Sequence, residues 1–245
     1  GGFTRHAAQK ITTASVRDLS VLSSKSLLQT NRAANRYQIH ELLRQYGAEK
    51  LAGNGADEAA ARDRHSAYYA DLLHQHAVVL KSAEQRAALT AIQGEIENVR
   101  AAWDWAITQK QTHTLDQALE SLGQFYEWHG RVQEGQAAFR AALGVVDAEA
   151  EPRLRVRLSS WLATFLYWLG RIDEARELRE QSLVLLDSPP LVDQDRRAER
   201  AVILLGLGQS VGFGAIDPQA NQAELQLYEQ SLALYEALQD RWGMA

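Results

Sequence analysis

Apolar residues recur with helical spacing along most of the chain. Val16, Leu19 and Leu22 fall on one face of a predicted helix, and Ser15 just before them is a suitable N-cap. A shorter helix is predicted to run through Ile11, with the hydroxyl of Thr4 as its N-cap. The first quarter of the chain is therefore expected to open with two helices.

The pattern then changes to that of a two-stranded hairpin. Apolar residues 27–28 precede a polar turn over residues 30–35, and Tyr37 and Ile39 follow it with the alternation of a strand. A helix is predicted from residue 40 to residue 51. The order helix, helix, hairpin, helix predicts a partial winged helix over residues 1–52 that lacks its first element.

Residues 53–112 are predicted to form a helical linker or a first helical hairpin. Gly53-Asn54-Gly55 breaks the preceding helix, and a long helix is expected from Asp57 to about Leu80. A second helical segment follows Ser82 and includes Trp103 and Trp105, which we interpret as packing anchors.

Residues 113–245 repeat a helix-pair pattern at a spacing of about 40 residues, which fits the tetratricopeptide template. The first copy contains Leu119, Leu122, Gly123, Tyr126, Gly130, Gly135, Phe139 and Ala142. The second contains Leu162, Ala163, Leu166, Gly170 and Ala175, with Arg179 in the place of the aromatic residue, and the third contains Leu204, Leu207, Gly208, Val211 and Tyr228. The predicted fold class is mainly α, a partial winged helix with a small β-hairpin followed by an α–α solenoid of such hairpins.

The first helix of each pair is expected to line a concave groove. Aligning the copies places Trp128, Trp168 and Phe213 at equivalent positions, one aromatic residue per repeat. Such a row suits a protein, a peptide or a flat small ligand, and the alternative is that the rings pack against the next helix. The candidate groove residues are Gln124, Glu127, Trp128, Arg157, Thr164, Tyr167, Trp168, Gln209 and Phe213.

Composition and charge narrow the function classes. The chain has no cysteine, which excludes disulfides and thiolate metal sites, and no apolar run long enough for a membrane span or signal peptide. We expect a soluble, cytoplasmic protein without a membrane partner. Residues 1–52 carry a net charge of +5 (eight basic, three acidic residues) within a total of −5, so the remainder carries −10.

A basic winged helix raises the alternative of DNA binding. Arg17 and Lys25 on the second helix would face the groove of the duplex, and Arg32 and Arg36 on the wing would contact phosphates. The other interpretation is that these charges are solvated or contact a neighbouring domain.

Ile39-His40-Glu41 carries a more specific signal, together with Gly2-Phe3-Thr4 before it and Leu42-Leu43-Arg44-Gln45-Tyr46 after it. The segment resembles the winged-helix domain of STAND-class signalling ATPases, with Ile for Met and Glu for Asp in that family's Met-His-Asp motif. The resemblance implies that His40 contacts the β-phosphate of ADP held by an upstream nucleotide-binding domain of the same parent chain. It also implies a parent that oligomerises on activation. Position alone favours the other interpretation, a histidine that caps the helix and binds no ligand.

Catalytic and metal signals are absent from the sequence itself. There is no Gly-x-x-x-x-Gly-Lys-Ser/Thr loop, so we expect no enzyme activity and no cofactor in this fragment, with ADP or ATP bound only by the parent. His74 and His76 lie on different sides of a helix, as do Glu95 and Glu97, so neither pair predicts a metal or acid–base site. The abrupt start at Gly1 and the end inside a repeat favour a fragment.

Three functions follow from these patterns. The first is the regulatory and ligand-sensing segment of a bacterial STAND signalling ATPase. The second is a transcription regulator whose winged helix binds DNA directly, with the repeats as its effector domain. The third is a scaffold with no switch.

Overall fold

The computed structural model describes residues 2–31, 33, 35–189, 191–212 and 218–244, without the side chains of residues 212 and 218–220. Within them lie three strands, β1 Phe3–Thr4, β2 Leu28–Asn31 and β3 Arg36–Ile39. The helices are α1 Arg5–Thr12, α2 Val16–Ser24, α3 Glu41–Ala52, α4 Gly55–Val79, α5 Gln85–Thr108, α6 Thr112–Trp128, α7 Val132–Leu143, α8 Pro152–Trp168, α9 Ile172–Leu186, α10 Arg197–Gly212 and α11 Pro218–Leu238. The predicted class, mainly α with a small hairpin followed by helical hairpins, is confirmed.

The chain forms two compact units, Gly1–Leu122 and Gly123–Ala245. The boundary falls inside α6. None of the described helices is both long enough and apolar enough to cross a membrane.

The first unit begins with a three-stranded antiparallel sheet in the order β1-β3-β2. Leu28 pairs with Ile39 across the predicted hairpin, which the structure confirms. The additional strand β1 pairs Phe3 with Tyr37, and their rings stack with centroids 5.8 Å apart. Sequence patterns did not predict β1, because a strand of two residues is too short to show alternation.

The predicted caps of the first two helices are confirmed. The Thr4 hydroxyl accepts the amide hydrogen of Ala7 at 3.1 Å. At α2, Ser15 and Asp18 form a capping box in which each side chain accepts the other residue's amide hydrogen. These bonds satisfy amide hydrogens that would otherwise lack partners at each helix start.

The first two helices and the hairpin enclose a small core, and α1 contacts the long helix α4. Buried Ala8, Leu19 and Leu28 form the centre of this core. The Arg64 guanidinium of α4 donates to the Ile11 carbonyl at 2.7 Å. His6 Nδ1 lies 2.9 Å from the hydroxyl of Tyr68, also on α4. Helix α1 is therefore bonded to α4 by polar contacts at His6 and Ile11.

Helices α4 and α5 carry half of the buried apolar residues described in the first unit. Tyr69, Leu73, Ile92 and Trp103 are each at most 3% exposed, and Trp103 is the packing anchor that was predicted. The neighbouring Trp105 is half-buried and donates from its indole nitrogen to Asp63 at 2.8 Å.

His65 lies within this pair of helices and should make stability depend on pH. Burial, assisted by Arg62 and opposed by Glu95, lowers the pKa of His65, whose ring centroid lies 4.8 Å from that of Tyr69. The folded chain therefore takes up a proton on this imidazole less readily than the unfolded chain, which does so near pH 6.5. The corresponding stability is present above pH 6.5 and is lost as the pH falls below it.

Urea unfolding at pH 7.5, 6.5 and 5.5 tests this expectation. The wild-type free energy of unfolding should fall towards pH 5.5, and His65→Gln should show a smaller fall. The matched control is His74→Gln, because His74 is exposed on the same helix. An unchanged pH dependence in His65→Gln would contradict the prediction; burial also lowers the pKa of His76, so part of the slope should remain.

In the second unit, aromatic rings of α8 pack against the small residues of the repeat pattern. A β-carbon on Gly123 would lie 2.3 Å from the indole of Trp161, and one on Gly135 would lie 2.6 Å from the ring of Phe165. Phe139 is fully buried against both rings, with centroid distances of 6.2 and 5.5 Å. Glycine at these two positions is required by close approach between successive hairpins.

The next junction between hairpins replaces this aromatic contact with a guanidinium. Arg179, at the position equivalent to Phe139, is 3% exposed and donates 2.7 Å bonds to the Gly206 carbonyl and the Ser210 hydroxyl. A β-carbon on Gly206 would lie 2.4 Å from that guanidinium. Burial lowers the pKa of Arg179 to about 10. The arginine that departs from the repeat pattern therefore fills space left by a glycine on the facing helix.

Candidate functional site

His40 stands between β3 and α3 and serves as the N-cap of that helix. Its Nδ1 accepts the amide hydrogen of Leu42 at 3.4 Å, and its side chain is exposed. A neutral imidazole that accepts on Nδ1 carries its proton on Nε2. The residue therefore offers a donor to solvent beside the positive end of a helix dipole, an arrangement that suits a phosphate oxygen.

Glu41, which follows the histidine, is turned towards its own helix. Its carboxylate accepts from Arg44 at 2.6 and 2.8 Å and from Gln45 at 3.0 Å. These bonds, the one from Arg44 first, lower the pKa of Glu41 to about 2. The Glu41 carboxylate thus stays ionised. The hydrogen bonds described for it all come from residues in the first turns of α3.

The basic residues proposed for DNA contact are placed differently from one another. Arg17 and Lys25 are exposed on or next to α2, as predicted. Arg36 is not on a free wing, because its guanidinium is bonded to the Glu95 carboxylate, which fits the other interpretation, contact with a neighbouring part of the protein. Arg32 lies outside the described residues.

Glu95 is the centre of a buried polar cluster that sequence analysis missed. It binds Arg36 through two bonds and also accepts from the Tyr69 hydroxyl at 3.2 Å and the Asn98 amide at 2.7 Å. Arg36 additionally donates to the Gly2 carbonyl at 2.6 Å. Pairing with Glu95 raises the pKa of Arg36. This cluster ties β3, and Gly2 just before β1, to α5.

Four of the predicted groove residues lie together at the ends of α6 and α8. The indole nitrogen of Trp168 donates to the Glu127 carboxylate at 3.0 Å, and the Trp168 ring stands edge-on to Tyr167 with centroids 5.5 Å apart. Trp168 is 59% exposed, whereas Glu127, Trp128 and Tyr167 are half-buried. We call these four residues the aromatic surface.

The remaining groove candidates contribute less exposed surface. Gln124 is 3% exposed and belongs to the interior. Arg157, Thr164 and Gln209 are half-buried, and the Thr164 hydroxyl donates to a carbonyl of its own helix. Phe213 lies outside the described residues, so the predicted third member of the aromatic row has no structural description.

Trp242 is a neighbour of this surface that the repeat alignment did not predict. Its ring meets that of Trp128 edge-on, with centroids 5.7 Å apart. The Asp240 carboxylate accepts the amide hydrogens of Trp242 and Gly243 and so fixes the turn that carries the indole. In the sequence, only the residue type of Trp242 suggested an interaction. A contact between residues so far apart in sequence leaves no local pattern that could predict it.

Comparison with known proteins relates the chain to bacterial regulators. It is similar to the “Putative HTH-type transcriptional regulator Rv0890c” of Mycobacterium tuberculosis (strain ATCC 25618 / H37Rv), with 28% identity over 183 residues that cover 67% of this chain and 20% of the relative. The “Putative HTH-type transcriptional regulator Mb0914c” of Mycobacterium bovis matches with the same values. The chain spans about a fifth of the length of these relatives. No protein-family model matches it, and no solved structure matches it at a significant level.

Proposed function

We propose that the chain is the regulatory and partner-sensing segment of a longer transcription regulator of the STAND ATPase class. The observation that carries this proposal is the exposed imidazole of His40 at the start of α3, whose Nδ1 accepts from the Leu42 amide. Similarity to two proteins named as transcriptional regulators, of which the chain spans only a fifth, supports a regulatory role within a larger protein.

In the resting state, His40 would donate to the β-phosphate of ADP bound by an upstream domain. A hydrogen bond to a charged group contributes roughly 1.5–3 kcal/mol, enough to bias a two-state switch. The helical hairpins would bind a protein, peptide or small-molecule stimulus at the aromatic surface. ATP hydrolysis is assigned to the upstream domain, because this sequence has no phosphate-binding loop.

Direct DNA binding by residues 1–52, the predicted partial winged helix, is the second candidate. The +5 charge of residues 1–52, the exposed Arg17 and Lys25 and the names of the relatives favour it. Engagement of Arg36 by Glu95 counts against it, because one predicted phosphate contact is already satisfied within the chain.

Retention of ADP by the longer protein tests the first candidate. His40→Ala should weaken ADP binding roughly tenfold to a hundredfold, because one charge-assisted hydrogen bond is lost. The matched control is His74→Ala, which removes an exposed imidazole elsewhere. Nucleotide affinity is measured by displacement of a fluorescent ADP analogue.

Unchanged ADP affinity in His40→Ala would exclude the phosphate role. The 245-residue chain is then titrated with duplex DNA at 50 and 200 mM salt. Affinity that falls steeply with salt and is lost in the Arg17→Ala, Lys25→Ala double variant would favour the second candidate.

A further inference from the structure

His40 lies between a well-supported strand and a weakly supported helix. The strand before it, β3, is the central strand of the sheet and ends at Ile39. The helix after it, α3, contacts α4, but none of its twelve residues, all of which the structure describes, is buried. Leu42 and Tyr46 of α3 are 69% and 59% exposed. A segment with few buried contacts is easily displaced, so the position of the imidazole depends mainly on what holds β3.

A buried carboxylate on α5 holds the other end of this strand. Arg36, the first residue of β3, is bonded to Glu95 through two guanidinium nitrogens and also donates to the Gly2 carbonyl at 2.6 Å. Asn98 donates to the same Gly2 carbonyl at 2.9 Å and to Glu95 at 2.7 Å. One guanidinium therefore joins the central strand, the backbone just before β1, and α5.

The helix that carries Glu95 is a firm support. Eight residues along α5 are buried, Glu95 among them. The Tyr69 hydroxyl of α4 donates to the same carboxylate at 3.2 Å. Two parallel N–H···O bonds between a guanidinium and a carboxylate fix orientation as well as distance. Arg36 is thus held in one place and one orientation against a packed helix.

We propose that Glu95 is a positioning residue for the phosphate contact of His40. The Glu95 carboxylate acts without touching the nucleotide, because it holds Arg36, and His40 follows four residues later on the same strand and its extension. A hydrogen bond weakens steeply when its donor is misaligned, so a loosened strand weakens the contact without removing the imidazole. This inference rests on the proposed function and names a residue of this chain that controls that site.

The ADP affinity of the longer protein tests the proposal through Arg36→Lys. Lysine keeps a positive charge beside Glu95, but its ammonium cannot reproduce the planar fork that binds Glu95 and Gly2 together. The variant should weaken ADP binding roughly threefold to tenfold, which is part of the loss expected for His40→Ala. In a His40→Ala background the same substitution should have no further effect, because both changes act on one contact.

Ile92→Val is the matched control. Ile92 is fully buried on the same helix, and the substitution removes only one methyl group while the described hydrogen bonds around Glu95 remain. Urea unfolding measures the loss of stability in each variant, and ADP affinity should be unchanged in Ile92→Val. Equal weakening of ADP binding by the two variants would overturn the proposal, because Glu95 would then act through stability alone. Unchanged affinity in Arg36→Lys, or a full additional effect in the His40→Ala background, would overturn it as well.

Hydrogen exchange in the 245-residue chain separates this inference from the proposed function, because it needs no nucleotide. The Arg44 amide donates to the His40 carbonyl at 3.0 Å and reports on the start of α3. Its exchange should be faster in Arg36→Lys by roughly threefold or more, and unchanged in Ile92→Val. Unchanged exchange in Arg36→Lys would overturn the positioning role alone, whereas unchanged ADP affinity in His40→Ala would be a failure of the proposed function itself.

Discussion

Glu95→Ala is expected to destabilise the first unit by about 3 kcal/mol, at the lower end of the range for breaking a buried ion pair. The substitution would leave the Arg36 guanidinium without its carboxylate, and the side chains of the pair are only 17% and 9% exposed. Tyr69 and Asn98 would lose an acceptor at the same time. Urea unfolding followed by far-UV circular dichroism measures the change in free energy.

Glu97→Ala provides the control on the same helix. Glu97 is 62% exposed and pairs with Arg100 three residues away, so its loss should change the free energy of unfolding by less than about 0.5 kcal/mol. The double variant Arg36→Met, Glu95→Leu should recover most of the stability, because no buried charge remains unpaired. If Glu95→Ala and Glu97→Ala had the same small effect, the buried pair would not be the tie between β3 and α5.

Phe139→Ala is expected to destabilise the second unit by about 3–5 kcal/mol, as fully buried aromatic residues do when truncated. The ring of Phe139 is in contact with Trp161 and Phe165 of the next hairpin, so its removal would open a cavity at that junction. Chemical unfolding followed by tryptophan emission reports the loss, because Trp161 lies beside the deleted ring.

Two further variants calibrate this result. Phe139→Leu keeps much of the apolar volume and should cost less than the alanine substitution. Val184→Ala, at a position 68% exposed on α9, should stay within about 0.5 kcal/mol of wild type. A loss below about 1 kcal/mol in Phe139→Ala would mean that the hairpins collapse around the gap and do not depend on this aromatic contact.

Local patterns were sufficient where one residue acts on its immediate neighbours. Thr4 and Ser15 were predicted as helix caps, and both accept amide hydrogens within three residues. The hairpin was predicted from a polar turn between two apolar pairs, and β2 and β3 form it. The aromatic row was predicted by aligning the repeats, and two of its members lie at the aromatic surface, although whether that surface binds a partner stays a prediction.

Prediction from sequence was insufficient where distant residues meet. Arg36 and Glu95 are 59 residues apart, so no periodicity links them, and the sequence left open whether the arginine contacts a phosphate, solvent or a neighbouring domain. Gln124 was expected in the groove but is buried, because a helix of these hairpins contacts neighbours on more than one face. The contact between Trp128 and Trp242 likewise has no local signature.

The sequence by itself therefore determined the kinds of elements, their order and the positions where small residues admit a neighbouring ring. Spacing of apolar residues reports which face of a helix avoids water, and capping residues report where a helix begins. The tertiary structure alone decided which charges are paired and which rings stay exposed, since periodicity identifies a buried face without identifying its partner. That is why the sequence could place His40 at the start of a helix, whereas it could not predict the bond between Glu127 and Trp168.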